Sequence, residues 1–464
     1  MAAKAGLQSK NGLELQAFLA LAIPLASAQV AQAAVGFVDT IMMGHLGPES
    51  LAAGGLASTM FQLLLSTVGG LVIAVSPLVA AAYGAGQRSR IEQIVRQGLW
   101  LSLLLGLPLM GVMGHLDTVL LRLGQPAALA TLAAPYFQAI AWGVVPALGL
   151  AMLRGYVSAL SQAHIVTVIV LIGTLFNIAG NYVLGFGKLG FPRLELAGLG
   201  LASGLSFWLM FLIFLGYTLK HPQLRQYRFW QRFYRLQPHI LRQLVTIGSA
   251  IAVTIALEYG LFAMVTFLMG ILGTDMLAAH QTVYQTMYVI FMVPLGMSYA
   301  ATARVGQWFG AQDLAGARRA GYVGVVVVTA FMVVTAMVLI LQPKRIIGIY
   351  LDVNDPANAG VVALAVPILI ISALAQVFDG IQPVARGALH GLQDVRTPMV
   401  LSGLAYWGVG LASGYFLGFP LGLGGIGLWI GQSMGVTVAA ALFVTRFYRL
   451  TQPNRDFAGE PPHG

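Results

Sequence analysis

The sequence predicts an all-α polytopic membrane protein. Twelve transmembrane helices are expected in two six-helix bundles, related by a pseudo-twofold axis along the membrane normal. Three observations predict this fold class: an apolar composition, a series of long apolar segments and an internal repeat. The chain has 464 residues, of which 58% are hydrophobic and 9% are charged. Soluble domains carry roughly 25% charged residues, so we expect much of this chain to contact lipid.

The composition also argues against other classes of protein. The net charge is +10, but a nucleic-acid-binding surface needs its lysines and arginines clustered on one face, with aromatics for stacking. Here they are spread over many short connections, so we expect no nucleic-acid partner. The chain has no cysteine, which excludes disulfides and thiolate metal sites. No His-Glu-x-x-His motif is present, and we do not expect an enzyme.

Long apolar segments follow one another along the chain. A membrane-spanning helix needs about 20 mostly apolar residues, and charged residues or clusters of glycine and proline separate twelve such segments. Proline inside a helix removes a backbone hydrogen bond and bends the helix, so we expect kinks near Pro24, Pro77, Pro146, Pro294 and Pro367. The twelve spans lie near residues 15–41, 52–82, 97–115, 128–150, 164–185, 197–219, 243–270, 277–300, 320–342, 360–382, 398–419 and 424–446.

The basic residues predict the orientation of these spans. With the N-terminus in the cytoplasm, all but five of the 25 lysines and arginines fall on the cytoplasmic side, as the positive-inside rule requires. Arg154, Arg304 and Arg386 are counted there, just beyond the ends of spans. We therefore expect a multi-pass protein of the plasma membrane (the bacterial inner membrane), with both termini cytoplasmic. The five residues on the other side are Arg122, Lys188, Arg193, Lys344 and Arg345.

An internal repeat divides the chain near its midpoint. Residues 43–53 match residues 269–279, and residues 182–186 match residues 415–419. Six spans in each half give the two halves the same orientation, and such repeats place a substrate cavity between two lobes. The predicted domains are an N-lobe at 1–219, a cytoplasmic basic connector at 220–242, and a C-lobe with a cytoplasmic tail at 243–464.

Three carboxylates lie inside long apolar segments, namely Asp39, Glu258 and Asp379. A charged carboxylate at the bilayer centre costs roughly 2.5–3.5 kcal/mol on insertion scales, so such residues usually face a cavity and bind an ion or a proton. A buried acid that only fixes helix packing is the alternative. The repeat gives none of them an acidic counterpart: Asp39 aligns with Val265, Glu258 with Gln32, and Asp379 with Ala147.

Several stretches resemble signatures of the multidrug and toxic compound extrusion (MATE) family, in its NorM-like branch. Residues 36–47 resemble the first-helix signature. Residues 278–281, 292–297 and 304–306 resemble the eighth-helix pattern, and residues 386–398 resemble the loop after the tenth helix. The resemblance covers nearly the whole chain. It implies twelve helices in two bundles and the export of cationic, often aromatic drugs and dyes in exchange for sodium ions or protons.

The resemblance also implies which residues form the sites. Glu258 and Asp379 match the coupling-cation site of the C-lobe, where they would hold Na⁺ as metal ligands, and Asp39, Asn177 and Asn181 match the cation or substrate site of the N-lobe. Some family members carry an aspartate where Asn181 stands. This departure favours an N-lobe that coordinates a cation over one that a proton switches. No catalytic residue is expected, and no cofactor besides the coupling ion, Na⁺ or H⁺.

The residues themselves also support ion coupling. Hard cations prefer oxygen ligands, and Glu258 with Asp379 could supply two formal charges. Asn177 and Asn181 are spaced i, i+4 and share one helix face, where both amides could converge on Asp39. Such amides also serve as packing contacts between helices. A cationic drug and a coupling ion would compete for the same negative charge, and antiport needs that mutual exclusion.

Polar and aromatic side chains near the acids are candidates for the cavity wall, where rings can stack on a cationic drug. The alternative is a flippase or exporter of another amphiphile, such as a lipid-linked precursor, which would need arginines in its lumen. No predicted mid-span position holds a lysine or arginine, which favours drug export, and we expect a monomer in the lipid bilayer. A polytopic membrane enzyme is the remaining alternative. The candidate lining residues are Tyr259, Gln281, Tyr284, Gln285 and Tyr288.

Overall fold

The computed structural model describes residues 2–122, 126–231 and 233–452. The predicted cytoplasmic tail after residue 452 lies outside these ranges. In the first half of the chain, the helices are α1 (Ala2–Leu46), α2 (Pro48–Ile73), α3 (Val75–Gly84), α4 (Arg88–Met113), α5 (Leu116–Arg122), α6 (Ala127–Ala141), α7 (Val144–Ala159), α8 (His164–Gly180), α9 (Glu195–Lys220) and α10 (Pro222–Arg225). In the second half they are α11 (Pro238–Ile271), α12 (Thr274–Gly310), α13 (Leu314–Leu341), α14 (Pro343–Ile347), α15 (Ala359–Gly391), α16 (Arg396–Gly403), α17 (Ala412–Gly418) and α18 (Gly424–Leu450).

Two π-helical segments interrupt this pattern. Asn181–Gly185 continues α8, and Leu404–Leu411 joins α16 to α17. A π-helical turn widens the helix by one residue and is frequent at functional sites. The two segments do not align in the repeat, because residues 182–186 match residues 415–419, which follow the second π-helical segment.

The predicted all-α membrane fold is confirmed. Within the described ranges, 11 helical segments are long and apolar enough to cross a membrane, and one bent helix pair brings the number to 12. That pair is α6 and α7, which meet at an angle of 51°. The sequence predicts a single span near residues 128–150 at this place, and the structure divides it into two helices.

The bend between α6 and α7 has a local cause. Pro146 has no N–H to donate to the carbonyl of Trp142 one turn earlier. That carbonyl accepts a hydrogen bond from Nε1 of Trp208 on α9, at 2.9 Å. Gly143 lies so close to the same helix that a Cβ there would be 2.7 Å from Cα of Gly204. The break is therefore stabilised by the hydrogen bond from the Trp208 side chain and by the close packing of Gly143 against α9.

The chain packs into two compact units. The first, called the N-unit here, contains Pro24–Val79 and Gln87–Ile255. The second, the C-unit, contains Met1–Ile23, Ala80–Gly86 and Ala256–Gly464. Helices α1, α3 and α11 each contribute residues to both units. The units therefore share helices, whereas the predicted lobes divide the chain at the connector.

Close packing of α12 against α15 shapes the C-unit. The hydroxyl of Thr302 on α12 donates to the carbonyl of Gly387 on α15, at 2.9 Å. A Cβ on Gly387 would be 2.4 Å from the carbonyl oxygen of Ser298, so only glycine permits this approach. The contact fixes the backbone directly beside Arg386.

Candidate functional site

A chain of hydrogen bonds joins three helices in the N-unit. Asn181 Nδ2 donates to Asp39 Oδ1 of α1 at 2.5 Å and to Asn177 Oδ1 at 3.1 Å. Asn177 Nδ2 in turn donates to Ser203 Oγ of α9 at 3.0 Å. The structure thus brings the three predicted residues together, with Asn177 reaching Asp39 through Asn181. Ser203 was not predicted.

One oxygen of this network remains available. Asn181 is fully buried, and its Oδ1 has no hydrogen-bond partner among the described residues. Asn181 also begins the π-helical segment, at the place where α8 ends. An amide oxygen beside a carboxylate offers the hard ligands that alkali and alkaline-earth cations prefer. The N-unit therefore presents two kinds of oxygen ligand, from Asp39 and Asn181, at one point.

The N-unit also holds an arginine next to amides of α1. Arg154 Nη1, on α7, donates to Gln29 Oε1 at 2.7 Å and lies 3.4 Å from Gln32 Oε1. The sequence places Arg154 beyond the end of a predicted span, and in the structure it lies inside α7, which continues to Ala159. Arg154 precedes Gly155 as Arg386 precedes Gly387, so the repeat relates the two arginines.

The C-unit pairs its arginine with a carboxylate instead. Arg386 Nη1 of α15 donates to Glu258 Oε2 of α11 at 2.7 Å, and the two side chains are 9% and 16% exposed. The sequence places Arg386 in a connection after the tenth span, and in the structure it lies inside α15, which extends to Gly391. Arg304 likewise lies within α12, where it pairs with Glu14 at 2.7 Å. Glu258 is therefore paired with an arginine in the C-unit.

Asp379 completes the charged group around this ion pair. It lies on α15, about two turns before Arg386, and is half-buried. The charges of Glu258 and Arg386 are close enough to act on it electrostatically, but it forms no hydrogen bond or ion pair with any described residue. In the part of the chain that the structure describes, no three acidic, histidine or cysteine side chains gather into a metal site. A cation bound here would complete its coordination with neutral oxygens.

Two further polar residues lie at this site, and the sequence did not single them out. Gln382 Nε2 of α15 donates to the hydroxyl of Tyr406 at 2.5 Å, and both side chains are buried. Tyr406 belongs to the π-helical segment Leu404–Leu411, and the charges of Glu258, Arg386 and Asp379 act on it. Gln382 Oε1 has no hydrogen-bond partner among the described residues. Like Asn181, Tyr406 belongs to a π-helical segment.

Two of the predicted lining residues, Tyr284 and Tyr288, belong to a row of stacked rings along α12. Tyr284 stacks on Tyr288, with ring centroids 6.3 Å apart, and on His280, at 5.9 Å. His280 is buried and bonds to the hydroxyl of Thr266 at 2.9 Å, which is a packing role. Tyr259 and Gln285 are half-buried and Gln281 is exposed. That these side chains line a cavity stays a prediction.

A Gly-x-Ser-x-Gly sequence occurs at residues 431–435. In serine hydrolases this motif forms a sharp turn between a strand and a helix, which exposes the serine. Here it lies inside α18, and a Cβ on Gly431 would be 2.1 Å from the backbone nitrogen of Gly414. The two glycines therefore permit close helix packing, and the motif is not a nucleophile site.

Comparisons with known proteins agree over most of the chain. The MatE family model matches residues 24–183 and 250–416. The chain is 60% identical to the probable multidrug resistance protein NorM of Synechococcus sp., over 96% of each protein. It is 50% identical to the protein of the same name from Synechocystis sp., over 94% of this chain and 95% of that protein. A crystal structure of MATE in the straight conformation superposes with a TM-score of 0.86 at 19% identity, covering 94% of this chain and 96% of that one.

Proposed function

The chain belongs to the MatE family of multidrug and toxic compound extrusion proteins, and on that premise we propose that it is a secondary active efflux antiporter. It exports cationic, often aromatic drugs and dyes in exchange for sodium ions or protons, by alternating access. It works as a monomer in the plasma membrane, with both termini in the cytoplasm. The names of its relatives, which are multidrug resistance proteins, support the substrate class.

The charged group of the C-unit carries this proposal. Glu258 and Asp379 contribute two negative charges, and Arg386 contributes one positive charge, so the group has a net charge of about −1. One bound monovalent cation then neutralises it, whether that cation is Na⁺, H⁺ or a charged drug. Two such cations would leave excess positive charge in a low-dielectric site, which is unfavourable. Mutual exclusion of drug and coupling ion follows from this balance.

Asp379 is the residue that receives the cation in this scheme. Glu258 already accepts a hydrogen bond from Arg386 at 2.7 Å, whereas Asp379 bonds to no described side chain. A carboxylate without a donor is the more accessible ligand for an incoming ion. Glu258 then holds Arg386 in place and tunes how strongly Asp379 attracts a cation. The unpartnered oxygen of Gln382 is a neutral ligand within the same group of residues.

The N-unit supplies a second binding site in the proposal. Asp39 with the free Oδ1 of Asn181 offers one negative charge and one neutral oxygen, which suits a cation or the positive group of a drug. A membrane potential of about 100 mV supplies roughly 2.3 kcal/mol for each charge moved inward. An exchange that moves one more charge inward than the drug carries outward gains this energy, whereas a one-for-one exchange with a singly charged drug is electroneutral and depends on the ion gradient.

The amphiphile exporter remains the alternative, and the charges argue against it. A phosphate-bearing substrate needs an arginine with free donors in the cavity. Arg386 is bound to the Glu258 carboxylate, and the negative charge of Asp379 acts on the same site. The net charge repels an anion, which favours cationic substrates.

Efflux of ethidium from proteoliposomes tests the proposal. The wild-type protein is measured with an imposed sodium gradient and with an imposed proton gradient, separately, and one of the two should drive efflux. We expect Asp379→Asn to lower that driven efflux at least tenfold. The matched control is Asp275→Asn, because Asp275 is an exposed acid in the first turn of α12. Unchanged driven efflux in Asp379→Asn would refute the assignment of the coupling site.

A further inference from the structure

The connector between α9 and α11 carries only one sign of charge. Residues 220–242 include lysine, arginine and histidine but neither aspartate nor glutamate. The connector leaves one span at Lys220 and enters the next at Pro238, so it lies at a membrane surface. Short basic connections are common on the cytoplasmic side. What distinguishes this one is how its backbone is held.

Buried side chains of α4 fix the connector in place. Arg96 donates to the carbonyls of Phe229, at 3.2 Å, and Gln231, at 2.8 Å. Gln97 donates to the carbonyl of Arg235 at 2.9 Å. Arg96 is 6% exposed and Gln97 is fully buried. These bonds satisfy backbone groups in a segment without regular secondary structure, so its outward side chains are presented in a defined arrangement.

An aromatic stack extends this anchor toward the surface. Trp100 of α4 donates through Nε1 to the carbonyl of Phe233 at 2.8 Å, and the two rings stack with centroids 5.3 Å apart. Phe233 stacks in turn on Trp230, also at 5.3 Å. Trp230 is 38% exposed. The stack therefore ends in an indole ring at the surface of the connector.

The outward side of the connector combines cations with amphipathic side chains. Arg225, Arg228 and Arg235 are exposed, and none forms an ion pair with a residue that the structure describes. Tyr234 is 75% exposed and Leu236 is 51% exposed. We call this set the connector surface; it consists of Arg225, Arg228, Trp230, Tyr234, Arg235 and Leu236.

We propose that the connector surface binds the headgroups of anionic phospholipids. Basic residues near a membrane are attracted to anionic lipid, with a gain of about fivefold in affinity for each residue. Tryptophan and tyrosine prefer the level of the headgroups, where one part of the ring is apolar and the other is wet. Free phosphate would contact only the arginines. A phospholipid would also contact the exposed side chains of Trp230, Tyr234 and Leu236, so we infer a lipid. The N-unit thereby gains an anchor to one leaflet.

Binding of phosphatidylglycerol to the full chain in nonionic detergent tests the proposal, with phosphatidylcholine and inorganic phosphate as comparison ligands. We expect the triple variant Arg225→Gln/Arg228→Gln/Arg235→Gln to weaken phosphatidylglycerol binding roughly a hundredfold, at about fivefold per arginine. Phosphatidylcholine binding should not change. The control is Arg122→Gln/Lys188→Gln/Lys344→Gln, which removes the same charge from three exposed residues and should weaken binding less than threefold.

Further arms separate the remaining explanations. The single variants Arg225→Gln and Arg235→Gln should each lose about fivefold in affinity, so the test stands even if the triple variant does not fold. Trp230→Ala/Tyr234→Ala should weaken phosphatidylglycerol binding several-fold and leave its salt dependence unchanged. Equal losses in the control triple variant would contradict the proposal. Displacement of the lipid by inorganic phosphate at equal concentration would do so too.

Discussion

The two repeat-related arginines lie in similar places but contact different groups. In the N-unit, Arg154 donates to the amide oxygen of Gln29 and lies near that of Gln32. In the C-unit, Arg386 donates to the carboxylate of Glu258. The repeat aligns Arg154 with Arg386 and Gln32 with Glu258. Both halves have the arginine, and the aligned position holds an amide in the N-unit and a carboxylate in the C-unit, so the C-unit alone has the ion pair.

The acids of the two units are held in different ways as a result. Asp39 of the N-unit accepts a hydrogen bond from Asn181, in a network of neutral groups that ends at Ser203. In the C-unit, Glu258 is held by a charge, and the neighbouring Asp379 has no donor among the described residues. We propose that the C-unit keeps one carboxylate for position and one for exchange. The N-unit has a single carboxylate for both.

The strongest test of this comparison is Glu258→Gln, which gives the C-unit the contact of the N-unit. Arg386 then remains buried without a counter-charge, and breaking one side of a buried ion pair destabilises a protein by about 3–5 kcal/mol. We expect a loss near the lower limit, because the pair retains 9% and 16% exposure. Ion-driven ethidium efflux should fall at least tenfold. Denaturant titration in mixed micelles measures the stability.

The double variant Glu258→Gln/Arg386→Gln is the companion experiment. Removing both charges should restore most of the lost stability, because Arg386 is no longer left buried without its counter-charge. Asp379 then keeps the net charge of the group at about −1, so driven efflux should recover in part. If Glu258→Gln is as stable as the wild type, Arg386 does not need the charge of Glu258 to remain buried. The ion pair would then not account for the difference between the two units.

The second test compares the acids Asp379 and Asp39. Asp379→Asn removes no hydrogen bond to a described residue, so we expect stability to change by less than about 0.5 kcal/mol while ion dependence of efflux is lost. Asp39→Asn weakens a charge-assisted bond from Asn181 and should cost about 1.5 kcal/mol, with weaker drug export. Thermal unfolding and efflux at varied sodium and pH measure both. The same stability loss in both variants would count against the distinction.

The third test moves the carboxylate to the N-unit. Gln32→Glu places a negative charge near Arg154, which lies 3.4 Å from the present amide oxygen. Gln32 is exposed, so the new pair is screened and should add no more than about 1 kcal/mol to stability. Efflux should show the same ion dependence as in the wild type, because the variant leaves the C-unit site unchanged and the N-unit has no counterpart of Asp379. A new ion dependence in this variant would show that the pair alone makes a coupling site.

Much of the fold could be predicted, because membrane spans are encoded locally. Each predicted span has a helix at its position, since an apolar segment of about 20 residues needs no distant information to be recognised. A kink near Pro146 was predicted and the structure has one, but its size of 51° was not, because the Trp208 donor that satisfies the Trp142 carbonyl comes from another helix. Proline predicts a kink but not its size.

The candidate site was predicted in part, for a similar reason. The i, i+4 spacing of Asn177 and Asn181 gave the shared helix face, and the apolar surroundings of Asp39 identified the acid. Arg386 was placed outside the span because an arginine ordinarily ends an apolar segment. In the structure its helix continues to Gly391, and Arg386 is paired with Glu258, 128 residues away in the sequence, which an apolar pattern does not reveal. The repeated Arg-Gly pair was the available signal, since it occupies related positions in both halves.

The last test concerns Ser203, a position at which only the N-unit has a hydroxyl. The repeat aligns this position with Ile430, so the C-unit has no hydroxyl there. Ser203→Ala removes the acceptor of Asn177 Nδ2, at 3.0 Å, and should cost about 1 kcal/mol. The control is Ser206→Ala, because Ser206 donates only to Ala202 of its own helix. If Ser203 only positions the asparagines, Ser203→Ala should lower ethidium efflux less than threefold. The hydrogen bond from Asn181 to Asp39 remains in this variant. A loss as large as that of Asp39→Asn would instead make the hydroxyl a ligand.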